Sequence, residues 1–279
     1  MLSILIPTWN NLSFLKLCVS RLQKNTHHPF ELVLHVNEGV DGTLDWVRQE
    51  GFIHSHSPEN IGICHAMNRM AGLATQPYLV YLNDDMVCCP GWDVPLVNRI
   101  RQLNTDAFML SGTMIEPRES GNRCVIVADF GSDPESFRED ALLAALPVLH
   151  HEDWYGATWP PTVVHRTWWD KVGGYSPEFS PGMSSDNDFS MKMWQAGCRI
   201  FLGVGDSKVY HFMSRSTGKV KRNDGRRQFL DKWGMTQSTF DRHYLRRGQP
   251  VTADTLGEPR KDLWYHLDRW RGRIRRLTG

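Results

Sequence analysis

Residues 78–85 read Tyr78-Leu79-Val80-Tyr81-Leu82-Asn83-Asp84-Asp85, five apolar or aromatic side chains running straight into a polar, doubly acidic end. A short, unbroken apolar run of this length suits a strand buried on both faces. Three further strand-like runs precede it, at 2–6, 30–36 and 52–56, and polar residues close each one: Pro7-Thr8-Trp9, Asn37-Glu38, and Ser57-Pro58-Glu59-Asn60. Helical spacings separate the runs, with Leu12, Leu15, Val19 and Leu22 on one stripe and Ile63, Met67, Met70 and Ala74 on another. Strands alternating with amphipathic helices predict parallel βαβ units. The first hundred residues therefore read as half of a doubly wound sheet. Ligands of such sheets bind beyond the carboxyl ends of the strands, so the four polar closures are expected to share one binding edge.

The second half loses the strict alternation. Strands are expected at 108–115, 124–130, 162–165, 199–204 and 208–212, with helices over 137–146, 168–172 and 185–196. This predicts a mixed continuation of the same sheet. The expected division is one catalytic domain over 1–247, with a ligand-binding half at 1–103 and a catalytic half at 104–247. A linker and a basic amphipathic helix follow at 248–279.

Composition narrows the function classes. The chain has 279 residues, 41% apolar and 23% charged, which is enough to bury a core. Its formal charge of +1 argues against a protein living on phosphate contacts to nucleic acid. No apolar run approaches the roughly 18–20 residues of a membrane span, and the first residues lack the basic start of a signal peptide, so a cytoplasmic location is expected. The six cysteines form no CxxC pair and read as scattered reduced thiols. The Gly-rich dinucleotide fingerprint, the P-loop, HExxH and GxSxG are all missing from the sequence, which removes the main support for those four enzyme classes.

What remains is carboxylate chemistry. Asp84 and Asp85 at a strand end repel each other unless a cation or solvent intervenes, and hard oxygen ligands suit Mg²⁺ or Mn²⁺. An acidic turn built for turn geometry alone would read the same way. Asp186 and Asp188, in Ser185-Asp186-Asn187-Asp188, suit a helix N-terminus. Two residues apart on a helix, at most one of them faces a reaction. His211 follows an expected strand.

Taken in order, these residues resemble one family. Pro7-Thr8, Val36-Asn37-Glu38-Gly39-Val40-Asp41-Gly42-Thr43, Asn60-x-Gly62 with Ala66-x-Asn68, Leu82-Asn83-Asp84-Asp85, Asp186-x-Asp188 and His211 resemble the family 2 glycosyltransferases of the GT-A fold, over about residues 1–215. The resemblance implies an α/β fold of GT-A type: a Rossmann-like mixed sheet flanked by helices, with a C-terminal helical tail. It implies an inverting transfer from a nucleotide-diphosphate sugar, with a divalent cation (Mn²⁺ or Mg²⁺), to a glycan or lipid-linked acceptor. Asp85 then meets the cation, His211 completes the metal site, and Asp186 is the catalytic base. Pro7, Thr8, Trp9, Asn37, Glu38, Asn60, Gly62, Asn68, Asn83 and Asp84 match the donor side. His165, Trp168, Trp169, Ser184 and Ser185, which precede or adjoin the base, are the acceptor-side candidates.

Competing classes are weaker. A nucleotidyltransferase would want a Gly-rich basic loop after the first strand, where this chain has Pro7-Thr8-Trp9-Asn10-Asn11. An inactive carbohydrate-binding relative predicts missing acids, and a glycosidase needs no nucleotide-type sheet edge. In the tail, Leu263, Trp264, Leu267, Trp270, Ile274 and Leu277 draw an apolar stripe beside Arg269, Arg271, Arg273, Arg275 and Arg276. Such a stripe either packs on the catalytic domain or a second subunit, or gives peripheral contact with a membrane through 260–279.

Overall fold

Strand β1 (Leu2–Trp9) carries seven buried residues in succession, because it lies at the heart of the sheet with neighbours on both edges. It runs parallel to β2 (Phe30–Asn37) on one side and β4 (Tyr78–Tyr81) on the other. β3 (Ile53–Ser57) extends the sheet beyond β2. The computed structural model describes residues 1–214 and 223–278. Helices α1 (Leu12–Asn25), α2 (Thr43–Gln49) and α3 (Gly62–Leu73) fill the crossovers, and α3 packs across β1, β2 and β3.

The remaining strands are β5 (Met86–Cys88), β6 (Phe108–Glu116), β7 (Val125–Val127), β8 (Trp154–Tyr155), β9 (Thr162–His165) and β10 (Ile200–His211). The strand order is β3-β2-β1-β4-β9-β6-β10-β5. β9 runs antiparallel to both β4 and β6 and so joins the two halves into one mixed sheet. Two expected strands, 199–204 and 208–212, are one strand, β10, whose register with β6 shifts between Val204 and Lys208. The shift has a steric cause. At Gly205 a Cβ would stand 1.9 Å from the His151 carbonyl oxygen, and the Gly205 amide donates to Asp153 at 2.8 Å, so the crossing 151–155 segment bends the strand there.

Helix α4 (Asp93–Leu103) follows β5, α5 (Glu139–Ala145) follows β7, and α6 (Arg166–Val172) and α7 (Ser185–Gln195) flank the later strands. Then come α8 (Gly225–Trp233), the single turn α9 (Gln237–Thr239) and α10 (Leu263–Thr278). The sequence reading did not single out α4 or α8.

Residues 248–256, expected as a linker, are stitched to the sheet. Tyr155 donates its amide to Gln249 and its hydroxyl to Ala253, Val251 donates to Asp153, and Leu256, buried, donates to Arg199. The tail helix forms where expected, but it docks through its polar face. Asp268 accepts from Arg242 at 2.8 Å and pairs with His243 at 2.9 Å, Tyr265 meets Tyr244, and Gly272 lies over Leu230 and Thr236. Its apolar stripe points the other way: Leu263 is 71% exposed, Trp264 60%, Trp270 59% and Leu277 86%.

Candidate active site

The site begins with a change of strand partner. After β4 the chain leaves the β1 side of the sheet and, within a few residues, becomes β5 against β10. Asn83, Asp84 and Asp85 lie in that passage. It brings Asp85 beside the end of β10, where Phe212 donates its amide to the Asp85 carbonyl at 3.1 Å and Ser214 donates its amide to the carboxylate at 2.9 Å. His211 Nε2 stands 3.5 Å from Asp85 Oδ1, and its Nδ1 stands 3.0 Å from Glu116, the last residue of β6.

A cavity of about 510 Å³ opens on this edge. Pro7, Thr8, Trp9, Asn37, Asn60 and Gly62 line it from the first half, Asn83, Asp84 and Asp85 from the floor, and Gly182, Ser185, Asp186 and His211 from the second half. The expected sharing of one edge by the polar closures of β1, β2, β3 and β4 is met.

Local physics fixes each wall. Thr8 donates its hydroxyl to Asp84 at 2.7 Å. Asn37 is buried and accepts from Ser57 and from the Ile61 amide, which ties β2 to the loop before α3. Asn60 accepts from the Gly62 amide. Gly62 has φ +76°, and a Cβ there would lie 2.6 Å from Pro181 Cα, so only glycine lets α3 meet the 181–185 loop. Ile63 then donates to the Pro181 carbonyl at 2.9 Å.

Charges are unevenly held. Burial pushes the Asp84 carboxyl up, and the neighbouring charge of Asp85 adds to it. Burial works against Asp85 too, but His211 and the Ser214 amide outweigh it and hold Asp85 below the usual carboxylate range. Burial disfavours a charged His211, yet Asp85 and Glu116 on its two ring nitrogens push it up to about 10. Among the described residues no three His, Cys, Asp or Glu side chains converge as a metal cage. Asp85 and His211 do fit a hard cation of the Mg²⁺ or Mn²⁺ kind, which binds through one or two protein ligands and completes its shell with phosphate and water. Glu116 behind the imidazole fixes the ring as such a ligand requires.

Asp186 faces this cluster from the first turn of α7. Tyr175 donates its hydroxyl to Asp186 Oδ1 at 2.8 Å. That tyrosine is itself locked: it stacks on Phe189 at 5.0 Å between ring centroids, and Asn68 bonds both its amide and its carbonyl at 2.8 Å. Burial raises the Asp186 carboxyl to about 6, while the Tyr175 hydroxyl and the charge of Arg247 pull the other way. Asp188 points elsewhere. It is buried against Ser176, Trp233 and Lys232, as a structural carboxylate.

Several expected site residues do not reach the cavity. Asn68 acts at a distance, through Tyr175. Glu38, at φ +57°, accepts from Asn10 at 2.8 Å and is not part of the lining. His165 pairs with Tyr78, at the amino end of β4, and so sits on the opposite edge of the sheet. Trp168 lies under Lys171, and Trp169 is buried against Tyr175 and Phe189. Ser184, at φ +69°, precedes α7 outside the lining, while Ser185 lines it and bonds the Gly182 carbonyl. The acceptor-side reading of His165, Trp168 and Trp169 is corrected by these placements: nearness in sequence to Asp186 was mistaken for nearness in space. Sequence reasoning missed Tyr81, Glu116, Arg118, Tyr175, Met213 and Ser214. Applying the strand-end rule to β6 as well as to the first four strands points to Glu116 and Arg118. No sequence signal marks Tyr175.

A mixed sheet with an acidic passage at the end of β4 and an opposed carboxylate on a later helix is the GT-A glycosyltransferase architecture. Residues 3–139, just under half of the chain, match the model of glycosyl transferase family 2. The stretch contains Asp85 and Glu116 but not Asp186 or His211. A PGL/p-HBAD biosynthesis glycosyltransferase of Mycobacterium bovis (strain BCG / Pasteur 1173P2) is 35% identical over 92 residues, covering 30% of this chain and 35% of the relative. A protein of the same description from Mycobacterium tuberculosis (strain ATCC 25177 / H37Ra) matches equally. The chain thus spans about a third of the length of the curated relatives it matches. Among solved structures, S. aureus TarS 1-349 superposes with a TM-score of 0.56 at 16% identity, over 75% of this chain and 60% of that one. The mannosyltransferase PcManGT from Pyrobaculum calidifontis, in complex with GDP-Man and Mn²⁺, gives 0.52 at 16% identity, over 77% and 57%. These likenesses show the fold.

Proposed function

We propose that the chain transfers a sugar from a nucleotide-diphosphate sugar to a hydroxyl of a glycan or lipid-linked acceptor, with inversion at the anomeric carbon. The observation that carries this reading is the single cavity in which Asp186, oriented by Tyr175, faces the Asp84–Asp85–His211 floor. The acceptor oxygen attacks the anomeric carbon, Asp186 takes the hydroxyl proton, and the bond to the diphosphate breaks with its electron pair going to the departing phosphate oxygen. A proton acceptor so placed is worth about 10²–10⁴-fold in rate. Held at about 6, Asp186 is ionised at neutral pH yet more basic than an ordinary carboxylate. A divalent cation held by Asp85 and His211 would neutralise the leaving diphosphate. Pro7, Thr8, Trp9 and Asn37 line the end of the cavity suited to the nucleoside, and the Trp9 indole N–H is buried there without a partner. That GDP-Man and Mn²⁺ occupy a protein of the same fold supports the reading. Its test is a screen of UDP-, GDP- and dTDP-sugars for binding and slow donor hydrolysis, with Mn²⁺ and with EDTA. Stabilisation by one nucleotide class only when Mn²⁺ is present is the expected result.

The tail supports contact with an anionic membrane surface. Among the described residues no helix is long and apolar enough to cross a membrane. α10 instead presents Leu263, Trp264 and Trp270 outward, flanked by Arg271, Arg273 and Arg275. Aromatic and aliphatic residues bordered by arginine are the make-up of an interfacial helix.

A further inference from the structure

The connection from β6 to β7 touches two hollows. Arg118 near its start lines the cavity described above, and Arg123 near its end lines a second hollow of about 690 Å³. Trp159, Arg242, Arg246 and Arg247 form other walls of that hollow. It lies on the same sheet edge as the active site. Trp159 comes just before Thr162, which pairs with Tyr81 at the carboxyl end of β4, and its carbonyl accepts from Ser111 on β6.

The balance of charge in this hollow is unusual for a chain of formal charge +1. Four arginines meet one carboxylate, Asp241, which is tied to Arg247. Arg242 is spoken for by Asp268 at 2.8 Å. Among the described residues neither Arg123 nor Arg246 has an acidic group within ion-pair distance. Arg247 is fixed in place: its guanidinium lies 4.2 Å over the Trp159 ring, and its backbone packs so closely on Gly156 that a Cβ there would come within 2.7 Å. Its Nε is buried and unpartnered. An unpaired, desolvated guanidinium N–H is costly and is relieved by an oxyanion, for which the planar fork is suited. Asn187, the residue after Asp186 on α7, donates its side-chain amide to Asp241 of this hollow at 3.2 Å, and the charge of Arg247 reaches Asp186 as well, so the hollow and that carboxylate are neighbours.

We propose that this hollow is an anionic subsite for the acceptor, taking a phosphate or carboxylate that the acceptor carries near its attacking hydroxyl. The inference rests on Asp186 being the base, since it is that carboxylate the anchored acceptor would approach. Trp159 offers an aromatic edge to the attached sugar, and Arg123, Arg246 and the Nε of Arg247 hold the oxyanion.

The test uses the full-length protein, saturated with UDP or GDP so that the donor side is filled. Methyl phosphate, methyl glucuronoside (its C6 carboxylate free) and neutral methyl glucoside are titrated by calorimetry or by ligand-observed NMR. At least one anionic probe should bind ten-fold or more tightly than methyl glucoside. Arg123→Gln/Arg246→Gln should abolish that preference with nucleotide affinity unchanged. The charge-matched surface variant Arg48→Gln/Arg101→Gln should keep it. Tighter methyl phosphate assigns a phosphate-bearing acceptor, and tighter methyl glucuronoside a uronate-bearing one. If the double variant does not fold, Arg246→Gln alone is read by the same criterion. Equal binding of all three probes, or an anionic preference that survives the Arg123/Arg246 changes, overturns the subsite. The transferase reading fails separately, if no nucleotide sugar binds or is turned over by the unmodified chain.

Discussion

At the residue scale, Asp186 is asked to do the most. Asp186→Asn should lower turnover by about 10²–10⁴-fold while leaving nucleotide-diphosphate affinity unchanged. Equal turnover removes the base assignment, and lost donor affinity moves Asp186 to the donor side. Its pKa gives an independent handle. With the carboxyl at about 6, kcat/KM should fall on the acid side with a limb near that pH. Tyr175 donates to the ionised form and so lowers the pKa, which means Tyr175→Phe should move the limb to higher pH. Stability runs the other way from activity. A carboxyl raised above its unfolded value binds its proton more tightly when folded, so its contribution weakens as pH rises from about 4 to about 6. Asp186→Asn should flatten that part of the stability profile. Asp186 and Asp85 were legible in the sequence because acidic pairs stand out at strand ends and helix starts. Tyr175 was not, since what sets it against Asp186 is a stack on Phe189 and a clamp by Asn68, the latter more than a hundred positions away in the chain.

At the scale of elements, the site is made where α3, the 181–185 loop and the end of β10 converge. Gly62→Ala combines a left-handed backbone with a clash against Pro181. It should cost about 1–3 kcal/mol of stability in denaturant titration and weaken donor binding together with it. His211→Ala and Glu116→Gln test a different link. Both should weaken Mn²⁺-dependent nucleotide binding and leave binding in EDTA unchanged. If both forms lose affinity equally, the pair shapes the pocket and does not serve the cation. β1, β2 and β4 were readable because they are buried on both faces, and β3, a partly exposed edge, because it ends as they do. β10 was read as two strands because the composition of Gly203-Val204-Gly205-Asp206 looks like a turn, and only the crossing of the 151–155 segment shows why glycine is there. α8 escaped because its apolar residues are few, and Phe229 finds its partner in Phe240 and Leu230 lies under Gly272 of α10.

At the scale of the whole molecule, the question is what the tail faces. The apolar stripe was visible in the sequence, but its direction was not, because either face of α10 could have met the domain. The structure turns Asp268, Gly272 and Tyr265 inward and leaves two tryptophans outward. Between Gly257 and Gly279 there are seven Lys/Arg and three Asp/Glu, and each basic residue near an anionic leaflet adds about 1 kcal/mol, fading within a Debye length. The protein should therefore cosediment with phosphatidylglycerol vesicles at low salt, come off at high salt, and ignore phosphatidylcholine vesicles. Trp264→Ala/Trp270→Ala should remove most of this binding with the melting temperature unchanged, since both side chains are already in water. A truncation after Gly257 keeps Leu256 in its buried place. It loses the half-buried pairings of Asp268 with Arg242 and His243 and the Tyr265–Tyr244 contact, none of which lines the cavity, so donor binding should persist. A second copy of the chain would also cover the stripe, and sedimentation velocity separates the cases: a dimer that the tryptophan pair dissolves, with no vesicle binding at any salt, assigns the helix to self-association and ends the membrane reading.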